Sequence, residues 1–260
     1  MVVFFDIDGT IIDNDTQVIP ESAIRAVERL RENGHIPIVN TGRPFSQIDP
    51  RIKELAFSGW VCGCGMQVLL NGAFLYRAVP SPEACREVSN AVRECGMQVL
   101  YEPEEPALLY DEGYSDHPVL LREMDQMTAK GFRMLPLDRE DPRFLKLVTF
   151  DWEGCDREAF IRRAEPYFIC IHRENTMLEL VLKGHSKAAG MERLLAHLGT
   201  HREDTMAIGD STNDLPMFAV AKHTVCLAEG ADELKAQAEF ITDTVLNDGI
   251  EKALKHYQLI

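Results

Sequence analysis

Two aspartates, Asp6 and Asp8, stand directly after the short apolar run Val2-Val3-Phe4-Phe5. The run is β-branched and aromatic and too short for a helix, so it predicts a strand buried on both faces. Two carboxylates at the end of such a strand repel each other and lose hydration, which calls for a cation beside them. Gly9 lets the backbone turn closely past whatever binds there. Taken alone, the pattern fits a solvated aspartate-rich turn equally well. A second run, Thr205-Met206-Ala207-Ile208, also ends in acid: Gly209-Asp210, then Asn213-Asp214 where a helix opens with Leu215-Pro216-Met217.

Other groups suit an anion. The buried run Ile36-Pro37-Ile38-Val39 ends in Asn40-Thr41-Gly42-Arg43. A hydroxyl, a flexible backbone with free N–H groups and a guanidinium at one strand end could hold a phosphate. An ordinary strand-to-helix turn capped by Thr41 is the alternative. Farther on, a helix is predicted from near Ser186, with Ala188, Met191, Leu194, Leu195 and Leu198 on its apolar side. Lys187 at its start opposes the helix dipole, and an anionic partner would offset that. By itself Lys187 reads as a surface lysine, Lys183 as a second one and His185 as a loop histidine.

Together these stretches carry a resemblance. Asp6-Ile7-Asp8-Gly9-Thr10, Thr41-Gly42-Arg43, the segment ending in Lys187, and Gly209-Asp210-Ser211-Thr212-Asn213-Asp214 follow the order of the four motifs of the haloacid dehalogenase (HAD) superfamily. The chain resembles its Cof-like, class IIB branch. The resemblance implies that Asp6 is the nucleophile of an aspartyl-phosphate intermediate and Asp8 the general acid and base. It implies that Thr41, Gly42, Arg43, Lys187 and Asn213 hold the phosphoryl group. Mg²⁺ is expected on Asp6, Asp210 and the Asp8 carbonyl, with Asp214 orienting Lys187 or a metal-bound water. The implied reaction is hydrolysis of a small phosphorylated metabolite, a sugar phosphate or a cofactor phosphate such as FMN or pyridoxal phosphate. A phosphomutase or phosphotransferase could use the same intermediate. A non-catalytic sensor of phosphorylated metabolites is the reading from another class, and the paired Asp6 and Asp8 argue against it. Cys64-Gly65 stands where the branch usually carries Asn-Gly.

The positioning elements are legible around these motifs. Pro20 starts a helix with Ile24, Val27 and Leu30 on one face, closed by Gly34. Trp60–Cys62 reads as a strand, and Asn71-Gly72 predicts a type I′ hairpin between Met66–Leu70 and Ala73–Tyr76. Then the pattern changes. Helices are predicted at Ser81–Cys95, Pro118–Thr128 and Asp156–Glu165. Strands are predicted at Gln98–Tyr101, Leu108–Tyr110, Phe144–Phe150, Phe168–His172 and Thr176–Leu182. This block holds no phosphate motif. The expected fold is α/β: a Rossmann-like, doubly wound parallel-sheet core over 1–80 and 183–260, with an inserted α/β domain over 81–182. The resemblance makes that insert a C2B-type cap that closes over the site and selects the substrate. Tyr110, Arg143, Lys146 and His172 lie in it and read as solvated or structural residues. The remainder predicts a strand at Thr224–Leu227, a helix at Ala231–Ala238, a short strand at Phe240-Ile241 and a last helix at Asp248–His256.

Bulk properties narrow the partners. With 27 Lys and Arg against 42 Asp and Glu, the net charge is −15, which repels nucleic acid and anionic membranes. Hydrophobic residues make up 45% of 260, enough for a sizeable core. Seven scattered cysteines with no signal peptide ahead of them predict reduced thiols in a cytoplasm. Cys62-x-Cys64 has no second pair at metal-ligand spacing. No apolar run approaches a membrane span. Monomer and dimer are equally open.

Overall fold

The computed structural model describes residues 1–173 and 176–260. The chain begins with β1 (Val2–Phe5), α1 (Glu21–Glu32), β2 (Ile36–Asn40), α2 (Pro50–Lys53), β3 (Gly59–Cys62), β4 (Gln67–Leu70) and β5 (Ala73–Arg77). It continues with α3 (Pro82–Glu94), β6 (Gln98–Glu102), β7 (Ala107–Tyr110), α4 (Pro118–Ala129), β8 (Arg133–Pro136), β9 (Lys146–Phe150), α5 (Arg157–Ala164), β10 (Phe168–His172) and β11 (Met177–Leu182). It ends with α6 (Lys187–Leu198), β12 (Thr205–Gly209), α7 (Leu215–Val220), β13 (His223–Cys226), α8 (Asp232–Lys235), β14 (Phe240–Ile241) and α9 (Gly249–His256). Two compact units result. One comprises Met1–Arg43, Pro50–Arg77 and His185–Ile260; the other comprises Pro44–Asp49 and Ala78–Gly184.

The first unit is built on an eight-stranded sheet, ordered β14-β13-β12-β1-β2-β3-β4-β5. From β14 to β3 every pairing is parallel, and β4 and β5 add an antiparallel edge. The core is therefore α/β as expected, a parallel sheet extended by the expected hairpin. At the β4–β5 turn Asn71 and Gly72 both have positive φ, 49° and 79°, as a type I′ hairpin requires. Strand β1 is buried on both faces because α/β connections cover both sides of a parallel sheet. Successive strands run outward from β1 on one side and from β12 on the other. That makes β1 and β12 the switch point, where a crevice opens beyond the strands' carboxyl ends. Phe5 is in register with both Val39 and Ile208, so the residues following β1, β2 and β12 emerge at one level. On α1 the buried face is Ala23, Ala26, Val27 and Leu30, and Ile24 is only half-buried at its rim.

The second unit has a six-stranded sheet, ordered β10-β11-β9-β6-β7-β8. All pairings are antiparallel except β7 with β8. One face packs Val99, Tyr101, Leu147, Leu178 and Leu180 against α3 and α5. The other packs Leu100, Leu108 and Phe150 against Leu120 and Met127 of α4. Strand β8 is absent from the expectation: Arg133-Met134-Leu135-Pro136 lacks alternation and carries a proline, which an edge strand tolerates. Helix α8 stops at Lys235, short of the expected Ala238. Pro44–Asp49 belongs to the second unit although it directly follows Arg43. There Gln47 Nε2 donates to the Ala107 carbonyl at 3.3 Å and Ser46 Oγ to that of Pro103 at 3.5 Å.

Candidate active site

The residues singled out by sequence meet at the carboxyl edge of the first unit's sheet. The Asp6 N–H donates to the Ile208 carbonyl at 3.0 Å, extending the β1–β12 pairing to the first aspartate. The chain then turns tightly: the Ile11 N–H reaches the Ile7 carbonyl at 2.8 Å, and that of Gly9 the Ile12 carbonyl at 2.8 Å. Gly9 has φ 75°, and a Cβ there would stand 2.6 Å from the Asp210 carboxyl carbon. Only glycine lets this turn approach Asp210 so closely. Thr10 Oγ1 donates to Asp210 Oδ1 at 3.3 Å, a role no residue pattern announced.

Lys187 is the centre of the cluster. It is the first residue of α6, 2% exposed, and its Nζ donates to Asp6 Oδ1 at 2.7 Å, Asn213 Oδ1 at 2.9 Å and Asp214 Oδ1 at 2.6 Å. These acceptors explain a lysine at a helix N-terminus: the carboxylates outweigh the helix dipole. Burial disfavours its charge, but Asp214 and Asp6 more than offset that and hold the ammonium protonated far above the usual range. Asn40, ending β2, donates through Nδ2 to the Lys187 carbonyl at 3.2 Å.

Asp214 is fully buried and fully engaged. Its Oδ2 accepts from the N–H groups of Asp210 at 3.0 Å and Ser211 at 3.1 Å. Gly209 makes room, since a Cβ there would lie 2.6 Å from the Asp214 carboxyl carbon. Asp6, Asp210 and Asp214 each bring a carboxylate oxygen within 4.8 Å of the others. Burial and the charge of Asp214 push Asp6 well above the ordinary carboxylate range, against the pull of Lys187. Asp210 is pushed up to about 7, by burial first and then by Asp214. One oxygen each of Asp6 and Asp210 accepts no hydrogen bond among the described residues. Crowded carboxylates with spare lone pairs and only oxygen donors fit a hard divalent cation of the Mg²⁺ type.

Thr41 and Arg43 lie on the neighbouring strand end. Thr41 is 1% exposed, and its Oγ1 accepts from the Arg43 N–H at 3.2 Å across Gly42. The turn after β3 braces this segment: the N–H groups of Gly63 and Cys64 donate to the carbonyls of Arg43 and Thr41 at 2.8 and 3.2 Å. Cys64, where the Cof-like branch usually has Asn, sits at φ 53°, a conformation Asn adopts more readily. The Arg43 guanidinium grips Asp8 bidentately, Nε to Oδ2 at 2.7 Å and a terminal nitrogen to Oδ1 at 2.9 Å. The Asp8 side chain is thus turned to Arg43, and the third carboxylate of the acidic triad is Asp214.

The remaining residues have structural partners. His185 is buried, its Nε2 2.9 Å from Tyr76 Oη. Lys183 is exposed, and its N–H donates to the Tyr167 carbonyl at 3.0 Å. Lys146 lies 2.5 Å from Glu179, Arg143 2.9 Å from Asp141 and His172 3.0 Å from Arg157. Tyr110 lies on β7, opposite Leu100 and Pro136 of the flanking strands.

A family model of haloacid dehalogenase-like hydrolases matches residues 3–254. The chain belongs to that family. It is a HAD-type phosphatase, a phosphoric monoester hydrolase. A Bacillus subtilis (strain 168) protein named "Putative phosphatase YkrA" is 30% identical over 265 residues, covering 100% of this chain and 98% of that protein. The 5-amino-6-(5-phospho-D-ribitylamino)uracil phosphatase YitU of the same organism is 23% identical over 98% of this chain and 97% of its own. The HAD subclass IIB sugar phosphatase BT4131 superposes with a TM-score of 0.83 at 22% identity, covering 100% of this chain and 99% of that one. At that identity the likeness is one of fold.

Proposed function

We propose that this HAD phosphatase hydrolyses a small phosphorylated metabolite, a sugar phosphate or a cofactor phosphate such as FMN or pyridoxal phosphate, with Mg²⁺ and through an aspartyl-phosphate. The observation that carries the reading is Lys187, buried among Asp6, Asn213 and Asp214 beside Asp210. A nucleophilic carboxylate, a fixed positive charge and crowded oxygen ligands at one sheet edge are what phosphoryl transfer through an aspartyl-phosphate requires. The 5-amino-6-(5-phospho-D-ribitylamino)uracil phosphatases YitU and YcsE of Bacillus subtilis, at 23 and 24% identity, favour a sugar-like phosphate.

In this reading one oxygen of Asp6 attacks phosphorus as the bond to the leaving group breaks, and Asp8 gives its proton to the departing oxygen. Asp8 then takes a proton from water. That water's oxygen attacks the acyl phosphate, the P–O bond to Asp6 breaks and inorganic phosphate leaves. Thr41, Gly42, Arg43, Asn213 and Lys187 hold the phosphoryl oxygens, and Asp214 keeps Lys187 aimed. The phosphoryl group draws the Arg43 guanidinium away from Asp8 and frees that carboxyl for its proton transfers. Asp6, Asp210 and the Asp8 carbonyl are the oxygen donors for Mg²⁺. When bound, Mg²⁺ supplies positive charge that lets an anionic phosphate approach an anionic nucleophile. Residues 81–182 act as a cap that selects the substrate. None of the seven cysteines forms a disulfide among the described residues, and five are buried, which suits a reducing cytoplasm.

The test is phosphate release from a panel of sugar phosphates, nucleotides, FMN and pyridoxal phosphate, with Mg²⁺ and with EDTA. Mg²⁺-dependent turnover of a few members, lost by about 10⁴-fold in folded Asp6→Asn, is the expected result. Near-wild-type turnover by Asp6→Asn, or full activity in EDTA, overturns the reading.

A further inference from the structure

The start of α6 lacks two of the local devices that usually fix a helix entry. Ser186 is the cap, its Oγ accepting from the Ala189 N–H at 3.1 Å. The third helical residue is Ala189, so no Glu or Gln reaches back to the cap. The fourth is Gly190, so the residue before the cap has no side chain there to pack against. That residue is His185, and it is held from another strand instead. Tyr76 Oη on β5 lies 2.9 Å from His185 Nε2, and the two rings stand 5.8 Å apart at 31°. The guanidinium of Arg193, in the second turn of the same helix, sits 4.3 Å from the centre of the Tyr76 ring. Tyr76 therefore contacts α6 on both sides of its first turn. The bond forms in either imidazole tautomer, because a phenol can donate or accept.

We propose that Tyr76, acting through His185, is a positioning residue for Lys187. Lys187 comes two residues after His185, and its ammonium must meet three acceptors between 2.6 and 2.9 Å. Its first turn continues Ala-Ala-Gly, so besides Lys187 it is held through its backbone, by Asn40 on the Lys187 carbonyl at 3.2 Å and by the close approach of Gly190 to Gly65. The same bond joins the end of β5, next to Arg77 where the chain leaves the first unit for Ala78–Gly184, to His185, where it re-enters. Without the bond the first turn of α6 keeps its cap but loses its fixed entry angle, and the ammonium drifts from the position where it meets Asp6. The inference rests on the reading of Lys187 as a phosphoryl-binding group.

The experiment compares Tyr76→Phe, His185→Ala, His185→Gln, the double variant Tyr76→Phe/His185→Ala, and Lys187→Ala. Each is measured for kcat and KM with p-nitrophenyl phosphate and Mg²⁺, for inhibition by orthovanadate, and for melting temperature. Tyr76→Phe and His185→Ala should each lower kcat about tenfold and weaken vanadate by a similar factor, with KM within about twofold. The double variant should be no worse than either single one. His185→Gln, whose amide reaches the place of Nε2, should recover wild-type kcat. Wild-type kcat and vanadate affinity in Tyr76→Phe and His185→Ala, with Lys187→Ala impaired in both, would overturn the inference, even if the melting temperatures fall. Lys187→Ala behaving as wild type would instead remove the reading of Lys187, and the inference with it.

Discussion

Two clusters of buried charge divide the molecule's chemistry between them. In the first unit Lys187 bonds Asp6 and Asp214, and Asp210 lies beside them, so one ammonium is paired with two of three clustered carboxylates. In the second unit Lys146 and Arg173 meet Glu179, and Glu102 lies 3.7 Å from Lys146, so two cations meet two carboxylates. The consequence shows in proton affinity. Burial and Asp214 push Asp210 up to about 7. Burial also pushes Glu179 up, yet Lys146 and Arg173 outweigh it and hold that carboxyl at about 2. Burial alone therefore does not mark a reactive site. The balanced network satisfies itself and fixes neighbouring strands, whereas the carboxylate-rich one retains an unmet demand for positive charge.

The widest separation between the clusters should appear in turnover. Asp6→Asn should cost about 10⁴-fold in kcat, whereas Lys146→Met should leave kcat within about twofold, both read by phosphate release with Mg²⁺. In stability the order should reverse. Lys146→Met strips Glu179 of one of its two cations and should cost roughly 3 kcal/mol in a urea titration. A loss of catalysis in Lys146→Met without loss of stability would erase the distinction.

A second effect on stability sharpens it through pH. The Glu179 carboxyl titrates at about 2 in the folded chain against 4.5 when unperturbed, so its contribution is complete above that ordinary value. It is lost as pH falls from about 4.5 towards 2, by roughly 3 kcal/mol, and Glu179→Gln should flatten that acid limb. Asp210 has the opposite sign, with a folded value of about 7 against 3.8. Without divalent cation it binds its proton more tightly folded than unfolded, so its contribution is lost as pH rises from about 4 through 7. Melting temperature against pH in EDTA, for wild type, Glu179→Gln and Asp210→Asn, separates the two limbs.

Much of the catalytic unit was legible because its parts are local. A buried strand ending in Asp6, another ending in Thr41 and a third ending in Asp210 each announce themselves in a few residues, and parallel pairing brings such ends to one level. What escaped depends on partners distant in sequence. The grip of Arg43 on Asp8 joins residues 35 apart, and the bond of Thr10 to Asp210 joins residues 200 apart. Tyr76 gave no signal because its hydrogen-bond partner, His185, lies 109 residues on. Strand β8 was hidden by Pro136, and Pro44–Asp49 by its place directly after Thr41-Gly42-Arg43.

The most direct test of the unmet demand for charge is the melting temperature of wild type and Asp210→Asn, each with EDTA and with saturating Mg²⁺ at pH 7.5. Wild type should gain several degrees with Mg²⁺, and Asp210→Asn should melt higher than wild type in EDTA and gain little from the cation. No Mg²⁺ effect on wild type, or the same gain in both proteins, would contradict the proposal that Asp210 helps to hold a cation.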